Sequence, residues 1–503
     1  MNLFRFVEVF KGLSQLKLTV FLIFLVVISR IATLNLPQVN LEFAFVDAVN
    51  YFISGENYFI ETYFQCQANT LGTSYLVYLL LYIMPSFDIL VVGRLLSVMG
   101  LVITGYSIYL LSIRLKLEKN AALLLLVLVL FNPLIWIYGG RFTADIFPMS
   151  IGLLGFTILL ISESRLNYYL SSILIGLSAV LKYHSVLFLC VAMLYILYKE
   201  KKIALRHLAY AITSLSILFL YILLTYYKFG FFLYPDYFHK VHNLNLSNWF
   251  SNMVSYSTYI ILILMPLSII SIYRFVLGLP TPDRIKLVFI VVFIGLFGLI
   301  FFQGDGEMNF GPLDRFISYD YSGILQVMGA FFIIMMLHIY RGVKSLRDKD
   351  IYFMFLLMCV VFVLLFSLTR PAQRYLIYII PLAYLLLVIN NNIKTTRILA
   401  YPMIVIFIIL NSYSSLYQYS VGNAAKEMAG KIIDAGYIDK TALGDILPHV
   451  GDIARRGYRN NVCNKYKVYS GEHNNAILMT RVSSFGIVER SYSLVKNKSY
   501  KCD

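Results

Sequence analysis

Apolar runs of about 17 to 25 residues, separated by short polar breaks, recur along most of the chain up to residue 412. Each is long enough to cross a hydrocarbon core of roughly 30 Å as a helix. The pattern predicts thirteen spans, over 18–36, 91–113, 121–138, 146–162, 168–182, 185–198, 207–227, 257–276, 286–302, 323–340, 351–368, 374–391 and 398–412. The first run is of full membrane length and leads into Asn35-Leu36-Pro37 without a small-residue cleavage site, so it is expected to stay as a span. Between the first two spans, the apolar stretch from Ser74 to Pro85 is too short to cross and predicts a helix lying in the outer interface.

After residue 412 the chain becomes polar. Periodicity there predicts helices near 423–436 and 449–457 and strands near 466–470, 476–481 and 485–495. The expected architecture is therefore an all-α polytopic membrane domain over 1–412 with a small outer α/β domain over 413–503. No internal repeat is evident.

Composition agrees with the pattern. With 59% hydrophobic and 14% charged residues, a chain of 503 residues has too few charges to cover a soluble surface. The formal charge of +16 then becomes a question of sidedness rather than of nucleic acid. With the N-terminus placed inside, the cytoplasmic loops hold 20 lysines and arginines and the opposite loops up to residue 412 hold 7. That bias predicts a cytoplasmic N-terminus and an outer, periplasmic or extracytoplasmic, C-terminal domain, while low tryptophan and abundant isoleucine, asparagine, lysine and tyrosine suit a low-GC bacterial gene and so a bacterial inner (plasma) membrane. The long loops, 37–90, 228–256 and 303–322, all fall outside, while the cytoplasmic loops are too short for a catalytic domain. Five cysteines do not make a disulfide framework, although Cys463 and Cys502 would lie where a bridge is permitted.

The chemistry gathers on the same outer face. From Arg30 to Arg94 there is no intervening lysine or arginine, and the gap carries Glu42, Asp47, Glu56 and Glu61; the stretch from Val46 to Glu56 reads as an active-site loop. Basic residues sit where spans meet outer loops: Arg141 in Gly139-Gly140-Arg141-Phe142-Thr143-Ala144-Asp145, Lys182 before Tyr183-His184, and Arg370 and Arg374 in Thr369-Arg370-Pro371-Ala372-Gln373-Arg374-Tyr375. Carboxylates can serve as a base or hold a divalent ion, and cations at the headgroup level suit a lipid phosphate. Mid-span ionisable groups are nearly absent, which argues against proton-driven transport. Arg30 and Arg94 read as structural residues that pair with outer acids. No spacing demands a metal, so none is expected; Asp47, Glu61, Asp145, Asp305 and Glu307 are the oxygen donors available to a divalent ion.

The first-loop carboxylate, Gly140-Arg141-Phe142-Thr143-Ala144-Asp145, the stretch Gly176 to Tyr183, and Arg374-Tyr375-Leu376 followed by Pro381 together resemble the GT-C membrane glycosyltransferases. The likeness is to the protein-mannosyltransferase and aminoarabinose-transferase-like branch. It covers the chain in topology, while its motifs are short and degenerate. The resemblance implies a polyprenyl-phosphate (undecaprenyl-phosphate) sugar donor, a glycan, lipid or protein acceptor, and Asp47 as the catalytic carboxylate. Many relatives carry a paired acidic motif there, where this chain has Val46-Asp47-Ala48. Lys182, Arg370, Arg374 and Arg141 become the expected phosphate ligands, with Asp145, Glu61, Tyr183, Tyr375 and His184 in support. The rival readings are a polysaccharide-lipid flippase and an O-antigen ligase or polymerase using a diphosphate-linked glycan.

Overall fold

The computed structural model describes residues 14–38, 42–66, 70–161, 164–201, 204–232, 246–283, 285–286, 322–344, 349–368, 373–391, 393–437, 441–442, 465–484 and 486–496. The first membrane-length run forms α1 (Gln15–Ile31), with Ser14 accepting the Lys17 N–H as its N-cap. The stretch read as an active-site loop is largely helical: α2 (Glu42–Ser54) and α3 (Asn57–Cys66) precede α4 (Gly72–Ile83), a helix over the stretch expected at the interface. Next come α5 (Ile89–Arg114), α6 (Lys119–Leu130), α7 (Pro133–Tyr138), α8 (Ile146–Ile161), α9 (Arg165–Leu181), α10 (Val186–Glu200) and α11 (Leu205–Phe229). The remaining helices are α12 (Leu246–Ile263), α13 (Leu267–Leu277), α14 (Ser322–Lys344), α15 (Lys349–Phe366), α16 (Ile380–Asn390) and α17 (Ile393–Asp434).

Among the described residues, the predicted spans 121–138 and 257–276 are each broken at a proline. The run 121–138 divides at Asn132-Pro133, where the residue before proline is pushed out of the helical region and the Asn132 side chain caps Leu134 N–H at 3.1 Å. The run 257–276 bends by 101° between Ile263 and Leu267. Pro266 has no N–H to continue the ladder, and Ser268 Oγ donates instead to the Ile261 carbonyl at 2.9 Å. Among the described residues, four helices are long and apolar enough to cross a membrane (Ile89–Arg114, Tyr183–Glu200, Leu205–Phe229 and Ala400–Asp434), or five if the bent pair is one span. Several other predicted spans are shorter apolar helices, and all but the first residue of 286–302 lies outside the described residues, so the count of thirteen is not matched.

The predicted break at residue 412 is also absent. Helix α17 runs through Pro402 and joins the last span to the helix expected near 423–436. At 42 residues it is roughly 63 Å long at 1.5 Å per residue, about twice the hydrocarbon thickness. Its distal end carries a four-stranded sheet in the order β1-β2-β4-β3, formed by β1 (Thr441–Ala442), β2 (Tyr466–Ser470), β3 (Ala476–Ser484) and β4 (Val488–Lys496). The three longer strands fall where alternation placed them, and β4 is antiparallel to both β2 and β3. Ala424, Ala425, Met428, Ala429 and Ile432 form one face of α17 against Val468, Tyr492 and Leu494. The helix expected near 449–457 lies outside the described residues.

Candidate active site

Helix α2 is buried on nearly all sides: Glu42, Phe43, Ala44, Phe45, Asp47, Ala48, Val49 and Tyr51 are all buried. Its first residue is fixed by a bidentate ion pair. Arg94 Nε and Nη2 donate to Glu42 Oε1 and Oε2 at 3.0 and 2.8 Å, and neither side chain has any exposed surface. Glu42 Oε1 also accepts the Phe142 N–H at 2.8 Å. The remaining Arg94 donors hold the carbonyls of Leu34 (2.7 Å), Leu36 and Pro37 (3.2 Å). A buried charge pair is tolerable only when its spare hydrogen-bonding capacity is met, and here one guanidinium gathers the α1–α2 connection, α2 and the loop before α8.

Asp47 lies one turn further along α2 and is fully buried. The neighbouring Phe45 is held between Tyr63 and Phe142, with ring centroids 5.7 and 5.6 Å away. Ser74 of α4 donates to the Phe45 carbonyl at 3.4 Å, and Thr73 beside it donates to the Leu181 carbonyl at 3.1 Å. Thus α4 ties the helix carrying Asp47 to the end of α9, immediately before Lys182.

The basic residues converge on that junction. Lys182, the C-cap of α9, is buried and ion-paired with Asp145. Its Nζ lies 5.0 Å from the Tyr375 ring centre and 6.0 Å from that of Tyr378. The His184 ring lies tilted against Tyr183 and Tyr375, with ring centroids 4.0 and 4.6 Å away. Arg374, in the short 3-10 turn Gln373–Tyr378 that leads into α16, has its guanidinium 5.5 Å from the Tyr375 ring. Burial works to raise the Asp145 carboxyl, but Lys182 and Arg374 outweigh it and hold it below the ordinary carboxylate value. The field of Arg374 also reaches Tyr63 of α3, whose phenol is pushed well up by burial. Arg374 is therefore within electrostatic reach of both Tyr63 and the Asp145–Lys182 pair.

Arg141 is buried, with its guanidinium 5.7 Å from the Tyr138 ring and its carbonyl accepting Ser97 Oγ at 2.6 Å. The Nε atoms of Arg141 and Arg374 are both buried without a hydrogen-bond partner. An unmet buried donor costs about 1–3 kcal/mol; Arg30 Nε and Nη1, over Trp136, are unmet as well, so the feature marks hydrogen-bonding capacity left for a ligand rather than an anion site by itself.

The structure thus brings together Arg141, Asp145, Lys182, Tyr183, His184, Arg374 and Tyr375. Glu61 lies exposed on α3, and Arg370, Asp305 and Glu307 lie outside the described residues. No three His, Cys, Asp or Glu side chains gather as a metal-ligating group among the described residues. Two roles escaped the sequence reading. Glu42 was one carboxylate among several there, and only the fold reveals it as the partner of Arg94. Arg30 does not pair with an acid in the way Arg94 does: its guanidinium lies 3.9 Å over the Trp136 ring, where a Cβ at Gly140 would collide with it. The Gly139-Gly140 pair ahead of Arg141 was the one signal of that close approach.

Neither a protein-family model nor a curated protein matches the chain. Solved structures of ArnT are among those similar to it. One is ArnT from Cupriavidus metallidurans bound to undecaprenyl phosphate, at 11% identity and a TM-score of 0.45, covering 88% of this chain and 75% of that one. Another is the same protein in the apo state, at 12% identity and a TM-score of 0.44 over the same shares. At that identity and TM-score, no residue role passes from those structures to this chain.

Proposed function

We propose that the chain is an integral-membrane glycosyltransferase that moves a sugar from a polyprenyl-phosphate carrier to a glycan or lipid acceptor on the outer face of the membrane. The observation that carries this reading is the pair of buried, unpartnered guanidinium Nε atoms of Arg141 and Arg374, set beside the aromatic shelf of Tyr183 and Tyr375 and joined through α4 to the helix of Asp47. Among the buried residues of this region, Arg30, Arg94, Arg141 and Lys182 exceed Glu42, Asp47 and Asp145 by one, before the half-buried Arg374 is counted. The surplus suits a phosphate whose charge grows as it leaves.

The chemistry is a direct displacement. The acceptor hydroxyl gives its proton to the Asp47 carboxylate while its oxygen forms a bond to the anomeric carbon. The bond from that carbon to the phosphate oxygen breaks, and the electron pair leaves with the polyprenyl phosphate. Arg141 and Arg374 neutralise that dianion; Asp145 and Lys182 hold the loop before α8 against the end of α9. Asp47 has no exposed surface, so the acceptor meets it inside the site rather than in bulk water.

The test is purified full-length protein with a labelled polyprenyl-phosphate sugar and extracted envelope glycolipid. Transfer with inverted anomeric configuration and stoichiometric release of polyprenyl phosphate is expected. Consumption of only a diphosphate-linked glycan, or carrier translocation without sugar transfer, would replace this reading with a ligase or a flippase.

A further inference from the structure

A cavity of about 400 Å³ opens between the α1–α2 connection and the emerged half of α17, lined by Asn35, Pro37, Gln38, Tyr419, Asn423 and Lys426. It is separate from the Asp145–Lys182 cluster, and the chemistry of its walls is polar. Tyr419, Asn423 and Lys426 follow at i, i+4 and i+7, which puts ring, amide and ammonium on one face of the helix. The aromatic end of that face is open: Tyr419 is 45% exposed. Asn423 Nδ2 donates to the Tyr419 carbonyl at 3.0 Å, which fixes the orientation of its amide. On the opposite wall the Gln38 Nε2 is buried without a hydrogen-bond partner.

This cavity is mechanically continuous with the candidate active site. Its opposite wall is the segment whose Leu34, Leu36 and Pro37 carbonyls are held by Arg94, and Arg94 is the partner of Glu42 at the start of the helix carrying Asp47. On the α17 side, Gly422 lets the helix backbone close on Pro37, where any Cβ would collide with the proline ring. One clamp therefore positions both the cavity and the proposed base.

We infer that this cavity is the binding site for the acceptor glycan. The inference rests on the proposed transferase activity and extends it to the acceptor side. The walls supply what a hydroxyl-rich chain needs: an exposed aromatic face for the C–H surface of a sugar ring, amides that donate and accept together, and an ammonium with three donors. A volume of this size is within the usual range for a ligand site of roughly 300–1,000 Å³.

The test begins in membranes of the source organism, with the full chain carrying a photo-reactive benzophenone side chain in place of Tyr419. Ultraviolet light is expected to give an adduct that stains for carbohydrate, while the same side chain in place of Tyr401, exposed on the apolar half of α17, gives none. No carbohydrate adduct at 419, a carbohydrate-free protein adduct, or equal labelling at both positions would overturn the assignment. In a second arm, purified Tyr419→Ala/Lys426→Ala protein is given extracted envelope glycolipid as acceptor. The acceptor KM is expected to rise about tenfold, the equivalent of one or two lost contacts, with binding of labelled undecaprenyl phosphate unchanged. An unchanged acceptor KM would contradict the site. A wild-type protein that consumes no donor would instead remove the transferase reading, and a carbohydrate adduct at 419 would still stand.

Discussion

Arg94 and Glu42 form a two-point ion pair without exposed surface, and through it the end of the first span, the helix of Asp47 and the loop at Phe142 are held as one body. The helix that carries Asp47 is thus anchored at its first residue by a partner 52 residues downstream.

Breaking that pair leaves a buried charge uncompensated. Arg94→Ala or Glu42→Gln is expected to cost about 3–5 kcal/mol, read as a lowered melting temperature and loss of monodisperse protein in detergent. Arg94→Lys keeps the charge but loses the fork geometry and is expected to rescue only in part. Wild-type melting in both Arg94 variants would show that the pair does not organise the site.

Arg141 and Arg374 are expected to act on the donor. Arg141→Gln and Arg374→Gln should each weaken binding of labelled polyprenyl phosphate by roughly 10- to 100-fold, the range for a lost charge-assisted hydrogen bond. The Asp145–Lys182 pair should not melt in these variants. Unchanged binding in both would remove the phosphate assignment.

The Asp145 carboxyl is held below its ordinary value, so its ionised form stabilises the fold. That contribution is complete above the unfolded carboxylate value of about 3.9 and is lost as pH falls through the lower folded value. Asp145→Asn is expected to lower the melting temperature at pH 7, and the gap to wild type should close progressively at acidic pH. A gap that stayed constant down to pH 3 would mean that Asp145 does not carry a stabilising charge.

Hydrophobic run length made the helical membrane domain legible, and alternation located the three longer strands of the sheet. What it missed has local physical causes. Run length is blind to Asn132-Pro133 and Pro266, which divide apolar stretches without changing their hydropathy. Helix α2 is buried on nearly every side, so Glu42 to Ser54 shows no amphipathic face to read. The gathering of Arg141, Asp145, Lys182 and Arg374 was legible only as residue types at span ends; which of them pair, and which keep an unmet donor, depends on contacts between segments up to 229 residues apart.

The central claim is that Asp47 takes the acceptor proton. Purified wild-type and Asp47→Asn proteins, matched for melting temperature and for binding of labelled polyprenyl phosphate, are compared for sugar transfer from the polyprenyl-phosphate donor. The account predicts a fall in kcat of about 10²- to 10⁴-fold, the usual share of a general base, with donor binding retained. Transfer at the wild-type rate by the Asn variant would contradict it.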